Sequence, residues 1–315
     1  MEHPVQPKNE ERMTSMVKGG VLALGNFDGV HRGHQAVVRA AVEKARGQGI
    51  LARVLTFEPH PRSILKPNIP PFRLTPAAVK ERLLRGLGVD AIIALPFSPE
   101  FANLTAEEFV ETILIKRLGV QHVVAGFDYV FGNKRGGTMK LLRQWLQPHK
   151  VGVTEVTPFR DSQGLVMSSS RTREALQQGD LSTATHILGR PWSIAGIVVH
   201  GAKRGSSIGV PTANIELDGY LRPKFGVYAV NARRVKDSFA YQGVANIGTR
   251  PTVDGHHEIL EAHLFGFQGA MYGEEWEIEL IDFIRPEQAF DGLESLRAQI
   301  MKDIETAKAR LVLAA

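Results

Sequence analysis

The sequence contains no cysteine in its 315 residues. This absence excludes disulfide bonds, thiolate metal sites and cysteine nucleophiles. No apolar run approaches the ~20 residues that a helix needs to cross a bilayer, and the polar first segment, with Glu2, Glu10 and Glu11, lacks the apolar core of a signal peptide. We therefore expect a cytoplasmic protein with no membrane partner.

Aromatic residues are few, at 7% of the chain, and long runs of like charge are missing. The net charge is nevertheless +5 and the isoelectric point about 9.4. Scattered Lys and Arg with few aromatics favour phosphorylated small molecules over nucleic acid as partners. A basic nucleic-acid-binding module is the non-enzyme alternative, and it predicts salt-sensitive affinity without turnover. We expect no nucleic-acid partner, and a monomer or weak homo-oligomer.

The chain is long for one domain, so two are expected. Its first part alternates helical patterns with uniformly apolar segments: Val21–Leu24, Ile50–Phe57, Val89–Leu95, Gln121–Gly126 and Val151–Val156. This alternation predicts an α/β domain over residues 1–188 with a doubly wound, Rossmann-like parallel sheet. From about Ser193, short alternating segments predict a C-terminal antiparallel β-barrel over residues 189–315. Helical spacing from about Phe290 to Leu313 predicts a long C-terminal helix.

Two helix starts in the first part carry strong signals. Thr75 followed by Pro76 predicts a helix with Thr75 as the N-cap and Pro76 at the first helical position. Thr105 and Glu108 form a capping box that predicts a helix from Phe109 to Leu118.

The segment Gly25–His34 passes from a predicted strand through a tight loop to a predicted helix. Unpaired backbone N–H groups and the helix dipole at such a loop favour bound phosphate. His31 and His34 could donate imidazole N–H groups to the α- and β-phosphates in nucleotidyl transfer, and Gly33 would let the backbone come close. The alternative is a turn carrying two surface histidines.

A second hydroxyl-rich helix start, Ser168–Ser170, is followed by Arg171 and Arg173. It predicts another anion site, although a plain serine N-cap with surface arginines explains the same residues. Two arginines two positions apart on a helix do not face one ligand together. Of the two, we favour Arg173.

In the second half, the Gly-rich basic segment Gly201–Gly209 runs into Thr212 and Asn214. On an extended backbone these two side chains share a face, and their oxygens suit Mg²⁺ bound with nucleotide phosphates. An ordinary loop is the alternative. Glu261 alternates with the apolar Leu260 and Ala262, and it is either a general base toward a hydroxyl or a solvated surface carboxylate.

Taken together, these motifs resemble the bacterial bifunctional riboflavin kinase/FMN adenylyltransferase family, also called FAD synthetase. The matching segments are Gly25–His34, Phe57–Pro61, Gly126–Gly132, Leu188–Pro191, Pro211–Asn214, Gly243–Thr252 and Glu261–Leu264. They extend over nearly the whole chain. The resemblance implies that the nucleotidyltransferase domain adenylylates FMN to FAD and releases pyrophosphate. It also implies that the barrel phosphorylates riboflavin to FMN, with ATP as co-substrate of both reactions.

The resemblance also implies roles for individual residues. The catalytic residues would be His31, His34, Arg173 and Glu261, the last taking the proton from the ribityl 5′-hydroxyl. Those for ATP binding would be Gly25, Phe27, Asp28, Gly33, Ser169, Ser170, Gly205, Gly209, Thr212 and Asn214. Those for flavin binding would be Phe57, Pro59, His60, Asp128, Asn133 and Arg285. Thr212 and Asn214 would also hold Mg²⁺.

The chain departs from the family pattern at a few positions. Ser170 stands where the family usually has Thr, Thr172 where it has Ile, and Val130 where a basic residue is common. We expect activity to survive these changes. The competing enzyme interpretation is an aminoacyl-tRNA synthetase fragment, because His31–His34 also resembles the signature of that class. That interpretation predicts a Lys-rich second motif, and none follows Met167.

Overall fold

The structure is a computed structural model and describes residues 18–200, 212–252 and 255–313. The chain divides into two compact units, the first formed by residues up to Ile69 with Thr75–Ser168, the second by Pro70–Leu74 with the chain from Ser169 onward. The domain boundary after residue 188 stays a prediction. Among the described residues, no helix combines the length and apolar character needed to cross a membrane.

The first unit contains the parallel sheet that the sequence predicted. Its strands are β1 (Val21–Leu24), β2 (Ala52–Phe57), β3 (Ala91–Leu95), β4 (His122–Gly126) and β5 (Gly152–Val156), in the order β3-β2-β1-β4-β5. The chain moves outward from β1 to β3 and then returns to the other side of β1. In such sheets the loops after the two strands at the reversal, here β1 and β4, form the ligand crevice.

Helices connect these strands: α1 (Arg32–Gln48), α2 (Pro61–Leu65), α3 (Ala77–Arg85), α4 (Pro99–Ala102), α5 (Ala106–Glu108) and α6 (Met139–Leu146). The capping box at Thr105 and Glu108 is confirmed. Beyond it the backbone has π-helical geometry over Phe109–Arg117, and the N–H of Leu118 donates to the carbonyl of Ile113, five residues back, at 2.9 Å.

The predicted N-cap of α3 is wrong. The helix begins at Ala77 and its N-cap is Pro76, because the hydroxyl of Thr75 accepts a hydrogen bond from the N–H of Gly29 instead. Tertiary contacts with the β1–α1 loop therefore displace the local capping interaction.

Both faces of the sheet are apolar, which explains the uniformly apolar strands. On one face, Val38, Ala41 and Ala45 of α1 pack with Val21 and Val54. On the other, a second cluster includes residues of the π-helical segment, α6 and the strands: Leu22, Leu55, Val110, Leu114, Val123, Leu142 and Leu146. Burial of β1 on both sides holds the loop that follows it on a rigid base.

Arg53 is an exception inside this core. It lies in β2 and is fully buried, and within the described part of the chain its three guanidinium nitrogens have no hydrogen-bond partner. Burial lowers the pKa of Arg53 to about 10. The cation is therefore destabilised by the fold.

We expect Arg53→Met to stabilise the protein, because a buried unpaired cation is replaced by an apolar chain of similar length. Lowering the pKa of Arg53 from that of an exposed arginine to about 10 corresponds to about 3 kcal/mol at neutral pH. At pH values between the pKa of Arg53 in the folded and in the unfolded chain, the unfolded chain binds one more proton than the folded chain. The wild type therefore gains stability as pH rises through this range. The advantage of the variant should thus be largest at pH 8 and shrink above pH 10.

Urea unfolding of the wild type and Arg53→Met at pH 8 and 10.5 measures this difference. The exposed Arg39 of α1 provides a matched control, since Arg39→Met should change stability by less than about 0.5 kcal/mol. A lower urea midpoint for Arg53→Met at pH 8 would contradict the prediction and give Arg53 a stabilising role.

The second unit begins with α7 (Ser169–Gln178) and α8 (Leu181–Leu188). The described residues of this unit form the strands β6 (Trp192–Ile197), β7 (Ala213–Glu216), β8 (Gly226–Arg234), β9 (Tyr241–Thr252), β10 (Gly255–Leu264) and β11 (Glu275–Pro286), in the order β6-β11-β8-β9-β10-β7. The neighbouring strands are antiparallel. A bridge between Val199 and Asn214 links the two edges, so the barrel is nearly closed, as predicted.

The predicted long C-terminal helix is α9 (Leu293–Leu313). Its residues Ile304, Ala307 and Leu311 pack against Val227 and Val244 of the barrel wall. The strands β8 and β9 are therefore buried on both faces, one toward the barrel interior and one toward α9.

Candidate active sites

The two histidines of the first unit lie side by side at the start of α1. His31 is the N-cap, and its Nδ1 accepts a hydrogen bond from the N–H of His34 at 3.3 Å. The two imidazole rings stack with centroids 3.7 Å apart. Two potential N–H donors thus stand together at the positive end of a helix, where bound anions are favoured.

Gly25 and Gly33 make room for aromatic rings of the protein itself. A Cβ at Gly33 would lie 3.1 Å from the ring of His31, and one at Gly25 would lie 3.0 Å from the ring of Phe27. Phe27 in turn contacts His34 edge-to-face at 5.3 Å. A side chain at either position would require these rings to shift by a few tenths of an ångström, and the part of the glycines in ATP binding stays a prediction.

The loop between β1 and α1 has an unusual backbone. Phe27 has φ of 52°, Gly29 of 86° and Val30 of 43°. Positive φ is a genuine outlier for a β-branched residue such as Val30. A non-glycine residue in this conformation costs about 1–3 kcal/mol, and it persists only where the surrounding contacts fix it. Asp28 is buried, and its carboxylate accepts the N–H of Thr75 at 3.0 Å, so its described contact is inside the protein.

Phe57, Pro59 and His60 follow β2 at the same edge of the sheet. Phe57 ends the strand, and His60 is the N-cap of α2, its Nδ1 accepting the N–H of Arg62 at 3.0 Å. Phe57 contacts the rings of Phe97 and Phe101 at 5.5 and 5.4 Å. Phe97 and Phe101 were not among the predicted site residues, although Phe97 stands just past the carboxyl end of β3, where ligand-contacting residues are expected.

Asp128 and Asn133 lie in the loop after β4. Asp128 is exposed, and Asn133 is held by its N–H, which donates to the carbonyl of Leu104 at 2.8 Å. Between them, Tyr129 stacks with Phe131 at 5.5 Å, and burial raises the pKa of the Tyr129 phenol. This loop and the segment after β2 flank the histidine loop, which agrees with the predicted flavin-binding role without testing it.

The second hydroxyl-rich segment opens α7 of the second unit, and Ser169 is its first residue. Arg173 Nε donates to the carbonyl of Phe72 at 2.8 Å, and its guanidinium lies 5.6 Å from the centre of the Phe72 ring. Thr172, at a position where the resemblance led us to expect Ile, is buried. The described contacts of Arg173 thus hold the segment 70–74, and the assignment of Ser169, Ser170 and Arg173 to ATP stays a prediction.

In the barrel, Glu261 stands in one row with two asparagines. On β10 it is opposite Asn214 of β7 on one side and Asn246 of β9 on the other. Residues directly opposite in antiparallel strands share a face. Leu260 and Ala262 are buried in the barrel interior, so the predicted alternation is confirmed and the row lies on the outer face.

Asn214 is buried, and its Nδ2 donates to the carbonyl of Thr212 at 3.3 Å. This bond orients the carboxamide beside Thr212. The predicted ATP-binding residues Gly205 and Gly209 lie outside the described residues. Asn246 was not predicted, although it belongs to the segment Gly243–Thr252 that matches the family.

Thr212, Asn214 and Glu261 together offer oxygen donors that fit Mg²⁺ arriving with a nucleotide. Hydroxyl and carboxamide oxygens beside a carboxylate are hard ligands, and Mg²⁺ usually keeps waters and binds through few protein groups. Within the described part of the chain, no cluster of three or more His, Asp or Glu could hold a metal ion.

Arg285, predicted to bind flavin, has its described contacts inside the protein. Its Nε and Nη2 donate to the two carboxylate oxygens of Asp303 at 2.9 and 2.7 Å, and Nη1 donates to the carbonyl of Pro286 at 2.9 Å. Asp303 is buried on α9. The bidentate pair fastens the C-terminal helix to β11, and a contact of Arg285 with flavin stays a prediction.

Comparison with known proteins gives two consecutive family matches. The model of FAD synthetase matches residues 13–171, and the model of riboflavin kinase matches residues 188–311. A curated bifunctional riboflavin kinase/FMN adenylyltransferase of Escherichia coli (strain K12) is 40% identical, over 92% of each chain. The chain belongs to the bifunctional riboflavin kinase/FMN adenylyltransferase family. It is thus an enzyme whose FAD synthetase part precedes its riboflavin kinase part, as the resemblance implied.

Other relatives agree over nearly the whole length. The bifunctional riboflavin kinase/FMN adenylyltransferase of Bacillus subtilis (strain 168) is 40% identical over 97% of this chain and 95% of its own. A crystal structure named macrolide-efflux protein, from Streptococcus pneumoniae, has a TM-score of 0.81 and 36% identity over 92% of this chain and 94% of its own. Its name denotes transport, whereas both matching family models denote flavin enzymes. We take the fold from this likeness and the family from the other matches.

Proposed function

We propose that this chain converts riboflavin to FMN in its second unit and FMN to FAD in its first, with ATP as the donor in both reactions. The observation that carries the proposal is the pair of stacked histidines, 3.7 Å apart at a helix N-terminus, in the unit that matches FAD synthetase. The kinase reaction attacks the γ-phosphorus of ATP and the adenylyl transfer attacks the α-phosphorus. Two such reactions require two phosphate sites.

In the first unit, a phosphate oxygen of FMN would attack the α-phosphorus of ATP while the bond from that phosphorus to the bridging oxygen breaks. Pyrophosphate leaves. Negative charge grows on the phosphate oxygens, and the imidazoles of His31 and His34 would stabilise it by hydrogen bonding. The amino end of α1, where both residues stand, adds favourable potential.

In the second unit, Glu261 would accept the proton of the ribityl 5′-hydroxyl as its oxygen attacks the γ-phosphorus, and ADP leaves. Thr212 and Asn214 would hold Mg²⁺ together with the ATP phosphates. When bound, the ion neutralises phosphate charge, and the protein mainly positions the reactants. The row of Asn214, Glu261 and Asn246 supports this arrangement, since Glu261 is directly opposite Asn214 on the neighbouring strand.

The remaining parts of the proposal follow from composition. We propose a cytoplasmic enzyme that acts as a monomer or weak homo-oligomer without a nucleic-acid partner. The absence of cysteine and the scattered positive charge support it.

The direct test is to incubate the purified chain with riboflavin, ATP and MgCl₂ and to separate the flavins by chromatography. We expect FMN to appear first and FAD to follow, and EDTA to stop both reactions. A parallel reaction supplied with FMN should give FAD directly. Failure to form either product would overturn the proposal, and salt-sensitive binding to RNA without turnover would favour the nucleic-acid alternative.

A further inference from the structure

Thr75 makes reciprocal contacts with the loop that carries the histidines. Its hydroxyl accepts the N–H of Gly29 at 2.9 Å and donates to Asp28 Oδ1 at 3.4 Å, and its own N–H donates to the same oxygen at 3.0 Å. Both Thr75 and Asp28 are buried. Two consecutive loop residues are thus fixed by one residue that is 46 positions away in the sequence.

Lys80, one turn into α3, fixes the same loop at a second point. Its Nζ donates to Thr56 Oγ1 at 3.0 Å, and Thr56 Oγ1 donates to the carbonyl of Asn26 at 3.1 Å. The Lys80 ammonium also lies 3.6 Å from the carboxylate of Glu58, and its side chain is only 4% exposed. A buried ammonium with such partners holds a fixed position, unlike a surface lysine.

These two anchors enclose the strained part of the loop. Asn26 precedes Phe27, Gly29 precedes Val30, and Phe27, Gly29 and Val30 have positive φ. The next residue is His31. A backbone of this kind persists only where its surroundings fix it, so contacts at Asn26, Asp28 and Gly29 determine where the imidazole of His31 stands.

We propose that Thr75 and Lys80 are positioning residues for adenylyl transfer, acting through the loop backbone on His31 and His34. The proposal rests on the proposed function of the first unit. Its physical reason is that hydrogen bonds to a transition state require accurately placed donors, and misplacement by about 1 Å can reduce the rate about a hundredfold.

The central variant is Thr75→Val, which removes the hydroxyl and keeps the shape and the backbone N–H that binds Asp28. We expect kcat for FMN adenylylation to fall about 10- to 100-fold, with the KM values for ATP and FMN changing less than about threefold. Thr75→Ser restores the hydroxyl and should retain nearly the full rate. Riboflavin phosphorylation by the same chain should be unchanged, and the nearly unchanged KM values for ATP and FMN show that the first unit of the variant is folded.

A matched control is Thr112→Val, the same change at an exposed residue whose hydroxyl donates to the carbonyl of Glu108 in its own helix. It should leave both reactions unchanged. Lys80→Met gives an independent measurement, and it should lower the same kcat about 5- to 50-fold by freeing Thr56 from its donor. It also keeps the proposal testable should Thr75→Val not fold.

The outcomes are distinct. A wild-type chain that makes FAD, with Thr75→Val and Lys80→Met both within twofold of its rate, would overturn this inference and leave the proposed function intact. Equal losses in Thr75→Val and Thr75→Ser, or parallel losses in the kinase reaction, would show a general structural role and also overturn it. A wild-type chain that makes no FAD from FMN would overturn both.

Discussion

Replacing Glu261 with glutamine should reduce FMN formation from riboflavin about a thousandfold, within the range of 10²–10⁴ that general bases contribute. Glutamine keeps the size and the hydrogen-bonding shape of the side chain but cannot accept the proton of the 5′-hydroxyl. The row of Asn214, Glu261 and Asn246 should stay in place, because the β-sheet register and not the charge sets it. Initial rates of FMN formation measure the loss.

The same protein contains an internal control. Glu261→Gln should still convert supplied FMN to FAD at the wild-type rate, because that reaction is assigned to the first unit. Glu216→Gln is the matched control for charge, since Glu216 is an exposed carboxylate on the neighbouring strand β7, and it should leave both rates unchanged. If Glu261→Gln retained FMN formation within about tenfold of wild type, or lost both reactions while folded, the assignment of the base would be wrong.

The sequence was sufficient to predict the sheet of the first unit, because burial of its central strands on both faces leaves mainly apolar segments. It was not sufficient for β9, whose glycines interrupt the alternation that indicates a half-buried strand. The structure explains those glycines, because other atoms of the protein lie so close to them that a side chain would not fit. A Cβ at Gly243 would lie 2.5 Å from the carbonyl oxygen of His263, and one at Gly248 would overlap the carboxylate of Glu287.

In the candidate sites, too, some features are determined by the local sequence and others by tertiary contacts. The stacking of His31 and His34 could be anticipated, because residues three apart at a helix start are neighbours. The contacts of Thr75 with Asp28 and Gly29 could not, because they join segments 46 and 47 positions apart and replace a strong local capping signal. Arg285 is a second example, since no local sequence pattern indicates its pairing with Asp303.

The second large effect is expected for His31→Ala, which should reduce FAD formation from FMN about 10²- to 10³-fold, the usual loss when one donor to a developing oxyanion is removed. Riboflavin phosphorylation should continue, so FMN should accumulate. Because His31 is also the N-cap of α1, alanine costs about 1 kcal/mol of stability. His31→Asn keeps a capping side chain, and it should show the same catalytic loss with a smaller change in melting temperature.

His149→Ala is the control within the first unit. Its imidazole pairs with Glu111 at the surface, 2.9 Å away, and its removal should leave FAD formation unchanged. Retention of FAD formation within about tenfold by both His31 variants would contradict the assignment. Loss of the kinase reaction in a folded variant would contradict the division of labour between the units.

The two variants together give a sharper result than either alone. Glu261→Gln lacks the first reaction and His31→Ala lacks the second, so neither should convert riboflavin to FAD. A mixture of the two proteins should restore the conversion, because FMN made by the His31 variant can diffuse to the intact first unit of the Glu261 variant. Restoration requires that each variant keep one working site and release or accept free FMN. If each variant kept its own remaining reaction but the mixture made no FAD, transfer of FMN within one chain would be obligatory, and the picture of two independent sites would have to be abandoned.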